Sequence, residues 1–235
     1  MDRFRQSIID KKQGNGIPVI VDFKCISPGE GRLIESKDAP ELAKKMQEAG
    51  VPAISVVTEP NDFGGSLEML EKVVDAVDIP VLRKDFIRTK EEIDVSISCG
   101  ASAVLLMCSV MSRDAMRMCY SYALEKGIEP FVETHNPEEM KFALELGAKL
   151  MGINNRNILE LEKDGGTVDT TVEVMKQLRG DIEQSGRILV SESGILTPED
   201  AVSAIESGAD AVLIGTAIWK SENPFEFVKR LIGNE

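Results

Sequence analysis

At 235 residues, 43% hydrophobic and 29% charged, the chain has an ordinary globular composition and enough length for one sizeable core. Its 40 acidic and 27 basic residues give a net charge of −13, which argues against nucleic acid or an anionic membrane surface as the main partner; a small anionic ligand held by local cations remains open. No run approaches the ~18 apolar residues of a membrane span, the charged N-terminus has no signal-peptide core, and Cys25, Cys99, Cys108 and Cys119 form no C-x-x-C pair, so the expectation is a cytoplasmic protein with buried, reduced thiols and no metal site.

Residues 1–16 read as a short N-terminal helical extension. The first strand, 18–24, holds V-I-V-D-F-K, in which alternation puts Asp22 and Lys24 on one face and Phe23 on the other. A unit then recurs: a helix-period segment ends in Gly and a short apolar run follows. It appears in E-A-G-V-P-A-I-S-V-V-T (48–58), S-C-G-A-S-A-V-L-L-M-C (98–108), E-L-G-A-K-L-M-G-I-N-N (145–155) and E-S-G-A-D-A-V-L-I-G-T (206–216). Gly just past a helix suits a left-handed cap. On that basis strands are expected at 18–24, 53–58, 81–86, 103–108, 129–134, 150–155, 187–193 and 211–216. Amphipathic helices are expected between them, among others at 39–50, 66–77, 136–147 and 197–208, with a last one at 223–231. Continuous apolar strands imply a sheet covered on both faces. Eight β-then-α units in this length fit an α/β fold, a single TIM (β/α)8 barrel spanning 1–235. An open doubly wound sheet ranks lower, because no G-x-G-x-x-G follows the first strand.

In such a barrel, chemistry gathers at the C-terminal ends of the strands. There the chain places Lys24, Lys84, Glu133 and Glu192, each within or directly after an apolar run. Buried charge is costly unless paired. A stabilising ion-pair network would account for these residues. So would catalysis, with an ammonium as general acid and a carboxylate as base, or a lysine Schiff base. S-E-S-G-I and L-I-G-T-A put Ser193, Gly194, Gly215 and Thr216 at the last two strand ends, where phosphate commonly binds in barrels; ordinary turn chemistry is the plainer explanation of either alone. Arg83 and Asp85 have the opposite parity to Lys84 and are expected to face outward. His135, the one histidine, reads as a loop residue, and the methionines read as core filler.

The ordered set K-x-x-S-P (24–28), F-G-G-S (63–66), L-R-K-D-F (82–86), V-E-T-H (132–135), G-I-N-N-R (152–156), S-E-S-G-I (191–195) and G-A-D-A-V-L-I-G (208–215) resembles the indole-3-glycerol phosphate synthase family of tryptophan biosynthesis. The resemblance implies ring closure, decarboxylation and dehydration of 1-(2-carboxyphenylamino)-1-deoxyribulose 5-phosphate, with no metal and no organic cofactor. It implies Lys84 as general acid and Lys24 on the substrate carboxylate, sharing in proton transfer. Glu133 would be base or electrostatic partner, and Glu192 would orient the network. Asn154 and Arg156 would bind the sugar hydroxyls and the anthranilate side. Ser27, Ser193, Gly194, Gly215 and Thr216 would hold phosphate, and Phe63, Phe86 and Leu105 would line the aryl slot. Association with other enzymes of the tryptophan pathway is also expected from it. The chain departs from the family pattern at Asp22, usually Glu and counted here with the catalytic group, and at Cys25 and Ile26, where basic residues are usual. Asn157 stands where Asp is frequent, and a shorter segment precedes the first strand than in the family, whose extension helps cover the substrate. Two other readings fit the residues: a paralogous barrel acting on another anionic sugar phosphate, and a weakly catalytic barrel serving in binding or assembly.

Overall fold

In the computed structural model, which describes residues 2–14, 16–156, 167–183 and 186–233, all eight expected barrel strands form. In chain order the strands are β1 (Val19–Phe23), β2 (Ile26–Ser27), β3 (Gly31–Arg32), β4 (Ala53–Val57), β5 (Val81–Lys84), β6 (Ala103–Met107), β7 (Glu129–Thr134), β8 (Leu150–Asn154), β9 (Ile188–Glu192) and β10 (Ala211–Ile214). β1 and β4 to β10 close into a parallel barrel, with β1 paired to both β4 and β10; β2 and β3 form a small antiparallel pair that sequence did not suggest. Several strands stop one or two residues before the expected limit. Lys24, Asn155, Ser193 and Thr216 therefore lie just past the ladder, and Thr216 instead begins a helix. Position 157 lies outside the described residues.

The helices are α1 (Arg3–Lys12), α2 (Ala39–Ala49), α3 (Leu67–Ala76), α4 (Lys90–Ser98), α5 (Arg113–Lys126), α6 (Pro137–Leu146), α7 (Asp169–Glu183), α8 (Pro198–Glu206), α9 (Thr216–Lys220) and α10 (Pro224–Ile232). Several of their starts are set by side-chain caps. Asn136 accepts from the Glu139 N–H at α6, and Thr197 accepts from the Asp200 N–H at α8, each with Pro in the first turn. Gly50 and Gly147 take φ of 96° and 80° at the ends of α2 and α6, the left-handed stop that their spacing predicts.

Strand parity divides the core into layers. Val21, Ile54, Val104, Val132 and Leu189 point outward against the helices. Ile20, Leu82, Phe131, Leu150 and Val190 point into the barrel, where Phe4 and Ile8 of α1 join them. Both α1 residues are fully buried. The helix is tethered to the N-terminal side of the strands: Arg3 to the Asp78 carbonyl, Arg5 to Glu129 at the first position of β7, and Lys12 to Asp210 just before β10. The expected N-terminal helix thus closes the barrel end opposite the strand C-termini.

Outward-facing Arg83 is buried in the helical layer. Its guanidinium donates to Thr58 Oγ1 (3.0 Å), the Glu92 carbonyl (3.0 Å), Ser96 Oγ (3.1 Å) and Asp85 Oδ2 (3.0 Å), a structural clamp on α4. The cysteines are all free, but only Cys25, Cys99 and Cys119 are buried; Cys108 is partly exposed, contrary to the expectation of four buried thiols. Truncating Phe4 to Ala removes a ring from the closed end, and large aromatic deletions in cores cost about 3–5 kcal/mol. Denaturant unfolding of the Phe4→Ala variant should show a loss of that size; unchanged stability would mean that α1 is not part of the core.

Candidate active site

On four strands, successive inward positions climb from apolar to charged. On β5, Leu82 is followed by Lys84; on β7, Phe131 by Glu133; on β9, Val190 by Glu192; on β1, Ile20 by Asp22. The period of two carries all of these side chains to one end of the barrel. Lys84 Nζ lies 3.6 Å from Glu133 Oε2 and 3.6 Å from Glu192 Oε2, and neither carboxylate side chain has solvent exposure. Asp22 accepts a 2.7 Å hydrogen bond from Ser55 Oγ on β4. Its backbone carbonyl accepts from Trp219 Nε1 at 2.7 Å, which pins the end of β1 to α9.

Two clefts meet over this cluster, sharing Asp22, Lys24 and Lys84 in their walls. The first is apolar on its far side, with Phe63, Phe86, Leu105 and Met107. Lys24 Nζ stands 5.8 Å from the centroid of the Phe63 ring. The second is walled by Arg156, Ser193, Gly194, Gly215 and Thr216. Ser27 does not itself line this wall. Its hydroxyl accepts from Thr216 Oγ1 at 3.3 Å, so it reaches the cleft through that residue. Asn154 accepts from the Arg156 N–H at 2.9 Å, while its buried Nδ2 has no acceptor among the described residues.

Cys25, where a basic residue was expected from the resemblance, turns away from this face. Its Sγ lies 3.7 Å from Met69 Sδ in the layer between barrel and helices, and burial pushes its thiol up. The substitution therefore adds packing rather than changing the charged wall. Ile26 belongs to β2 and its N–H donates to the Phe63 carbonyl at 2.9 Å.

Four site residues escaped the sequence reading. Asn155 is the most connected. Its Nδ2 donates to Ser191 Oγ (3.0 Å) and to the carbonyls of Glu192 and Ser193 (both 3.1 Å); its Oδ1 accepts from Thr171 N (3.0 Å) and Oγ1 (2.9 Å). It clamps the end of β8 to the end of β9 and to α7. Among the described residues Ser193 is the one non-glycine with positive φ, at 62°, and Asn155 holds its carbonyl. Backbone in this region costs on the order of 1–3 kcal/mol for a non-glycine and persists where the surroundings enforce it.

Glu59 is the second. Its carboxylate accepts from the N–H groups of Asn61 (2.8 Å), Asp62 (2.7 Å) and Phe63 (3.0 Å), which shapes the loop that presents the Phe63 ring. Gly152 is the third. A Cβ there would lie 2.3 Å from Glu192 Oε1 and 2.8 Å from the Phe131 ring, so the missing side chain is the room in which the Glu192 carboxylate lies. The fourth is His135. It does follow β7 in a loop, but its ring turns back, placing Nε2 3.4 Å from Glu133 Oε1 and Nδ1 3.3 Å from Glu139 Oε2. Of these, only the doubled Asn in G-I-N-N-R offered a signal, since a second amide beside an apolar strand needs partners.

A closed parallel barrel with paired ammonium and carboxylate groups at the strand C-termini, and paired clefts above them, has the architecture of a (β/α)8-barrel enzyme. The family model for indole-3-glycerol phosphate synthase matches residues 2–231. The indole-3-glycerol phosphate synthase of Pyrococcus furiosus is 39% identical over 218 residues, 93% of this chain and 92% of the relative. That of Thermococcus kodakarensis is 38% identical over 224 residues, 95% of each, and that of Exiguobacterium sibiricum 37% over 231 residues, 98% of this chain and 86% of the relative. The chain belongs to the indole-3-glycerol phosphate synthase family, carboxy-lyases of tryptophan biosynthesis.

Because a methyl group at position 152 would collide with Glu192, Gly152→Ala should move that carboxylate away from Lys84 while leaving the barrel folded. Displacement of a catalytic group by about 1 Å can cost about 10²-fold in rate. Steady-state kinetics should show a drop in kcat of that order; a wild-type kcat would mean that the Glu192 position is unimportant.

Proposed function

We propose that this chain closes the pyrrole ring of 1-(2-carboxyphenylamino)-1-deoxyribulose 5-phosphate, with Lys84 as the general acid. The observation that carries the reading is the place of Lys84: its ammonium sits between Glu133 and Glu192, at the junction of the two clefts. A group at that junction can reach the carbonyl carbon that must meet the aryl ring.

The apolar cleft suits the aryl end, held against Phe63, Phe86 and Leu105. Lys24, beside Phe63, suits the carboxylate carried by that ring. Ser193, Gly194, Gly215 and Thr216, with Ser27 behind, suit the phosphate at the other end. Asn154 and Arg156 lie between, within reach of sugar hydroxyls and the anthranilate side. Anchoring both ends folds a flexible chain so that an aryl carbon faces the ribulose carbonyl, a positioning effect of several powers of ten.

The carboxylate-bearing aryl carbon attacks the carbonyl carbon, and Lys84 gives the carbonyl oxygen a proton, leaving a hydroxyl. Loss of carbon dioxide breaks the ring–carboxylate bond, and its electron pair restores the aromatic ring. Lys84, reprotonated by a proton taken up from solvent, then helps expel the hydroxyl as water. Glu133 takes the remaining proton as the indole double bond forms, and Glu192 keeps Lys84 charged and aimed. Asp22, held by Ser55, fixes the wall beside Lys24. A cytoplasmic site of action and association with other enzymes of tryptophan biosynthesis complete this reading; no described helix is long and apolar enough to cross a membrane.

Indole fluorescence should appear when the protein meets this substrate in the presence of a chelator. No signal at high enzyme concentration would overturn the reading. Lys84→Met should lower kcat by about 10²–10⁴-fold, the range of general acid–base catalysis. Asp22→Glu should leave turnover level or raise it; a sharp loss would mark a site rebuilt around the shorter carboxylate.

A further inference from the structure

We propose that His135 is a positioning residue: as an imidazolium between Glu139 and Glu133, it holds the Glu133 carboxylate in the orientation that faces Lys84. The inference rests on the role for Glu133 given above.

The geometry is a row of alternating charge running from α6 into the barrel. Glu139 Oε2 lies 3.3 Å from His135 Nδ1, His135 Nε2 lies 3.4 Å from Glu133 Oε1, and Glu133 Oε2 lies 3.6 Å from Lys84 Nζ, which is shared with Glu192. His135 and Lys84 thus take opposite oxygens of Glu133. A carboxylate approached on both sides by cations is fixed in rotation about its last bond, whereas Lys84 alone would leave that angle loose.

Glu139 is itself held. Its N–H donates to the Asn136 cap at 2.9 Å, and its Oε2 accepts the backbone N–H of His135 at 2.8 Å. The row therefore begins at the first turn of α6, not at a mobile surface charge. His135 is 14% exposed at the side chain, so its partners act with little screening.

Every charged or titratable group facing the ring favours or tolerates the protonated form except Lys84. Burial pushes the His135 pKa down, but the hydrogen bond to Glu139 and the charges of Glu133 and Glu139 outweigh that, against a smaller opposition from Lys84; the net direction is up. Burial would raise the Glu139 carboxyl, yet its bonds to His135 bring it down overall. Cys108, which feels Glu139 and Glu133, has its thiol pushed up by burial to about 12 and is neutral near pH 7. The positive end of α6 disfavours a cation at His135; the hydrogen bond to Glu139 and the nearby charge of Glu133 offset it.

A histidine with a raised folded-state pKa is charged below its ordinary range and loses that charge as pH rises through the raised value. Glu133 would be released there, so kcat should fall through the same interval.

The chain has a single histidine, so its ring resonances report this group alone. In the wild-type enzyme the ring should titrate above the ordinary value of about 6.5. In Glu139→Gln the ring titration should move down, and the alkaline limb of kcat should move down with it. His135→Gln should lose that limb, with kcat lower by about 10- to 100-fold and KM little changed. A ring that titrates at or below the ordinary value overturns the proposal. So does a Glu139→Gln variant whose ring titration moves while its kcat profile stays. Should His135→Gln fold poorly, the Glu139→Gln pair of measurements decides alone. A fully active Glu133→Gln variant would remove the base assignment as well; it is told apart because the wild-type ring would still titrate above the ordinary value and still move down in Glu139→Gln.

Discussion

Lys84 holds an ammonium 3.6 Å from each of two carboxylates that have no exposure to solvent, and none of the three charges could remain there without the others. Removing one partner from a buried ion cluster costs about 3–5 kcal/mol, because the remaining charge loses its compensation. The barrel is the device that makes the cluster affordable. Alternation along β5, β7 and β9 sends Lys84, Glu133 and Glu192 to one point from three separate strands. Gly152 leaves the volume that Glu192 needs, and Asn155 fixes the backbone from which Glu192 extends. In the proposed mechanism the same cluster supplies the proton donor and the proton acceptor of the ring closure.

The two ends of the barrel divide the work between stability and chemistry. At the N-terminal end α1 inserts Phe4 and Ile8 into the apolar centre and ties itself to Glu129 and Asp210. That end is closed by burial. At the other end the inward positions are polar and two clefts open, one apolar and one walled by glycine, hydroxyl and guanidinium groups. Among the described residues the one non-glycine with a left-handed backbone, Ser193, lies at this second end, under the grip of Asn155.

Much of this was legible in one dimension because it depends on period and punctuation. Gly after a helix and a short apolar run marked four of the barrel strands and set the pattern for the rest, and the boundaries moved where polar residues left the ladder for the mouth. Lys84, Glu133 and Glu192 stood out as charges at the ends of apolar strands. The contributions of Asn155, Glu59, Gly152 and His135 were not legible, for different reasons. Asn155 acts through Ser191, 36 residues away, and spacing gives no hint of that meeting. Glu59 acts on the backbone of its own loop, Gly152 through space that is empty only after Glu192 arrives, and His135 by turning back onto the strand it follows. Cys25, counted with the first-strand half of the site, instead shares the outward parity of Phe23 and packs on Met69. The closing of the barrel floor by α1 likewise required knowing which end its tethers reach.

The central claim is that the Lys84 ammonium gives up a proton and does not merely balance two carboxylates. Lys84→Arg separates these, since guanidinium keeps the charge but does not release a proton near neutral pH. Single-turnover measurement of indole formation, with the melting temperature recorded on the same sample, is the direct test. The account predicts a folded variant with near-native stability whose chemical step is slower by about 10²–10⁴-fold. A Lys84→Arg enzyme that forms indole at the wild-type rate would contradict it.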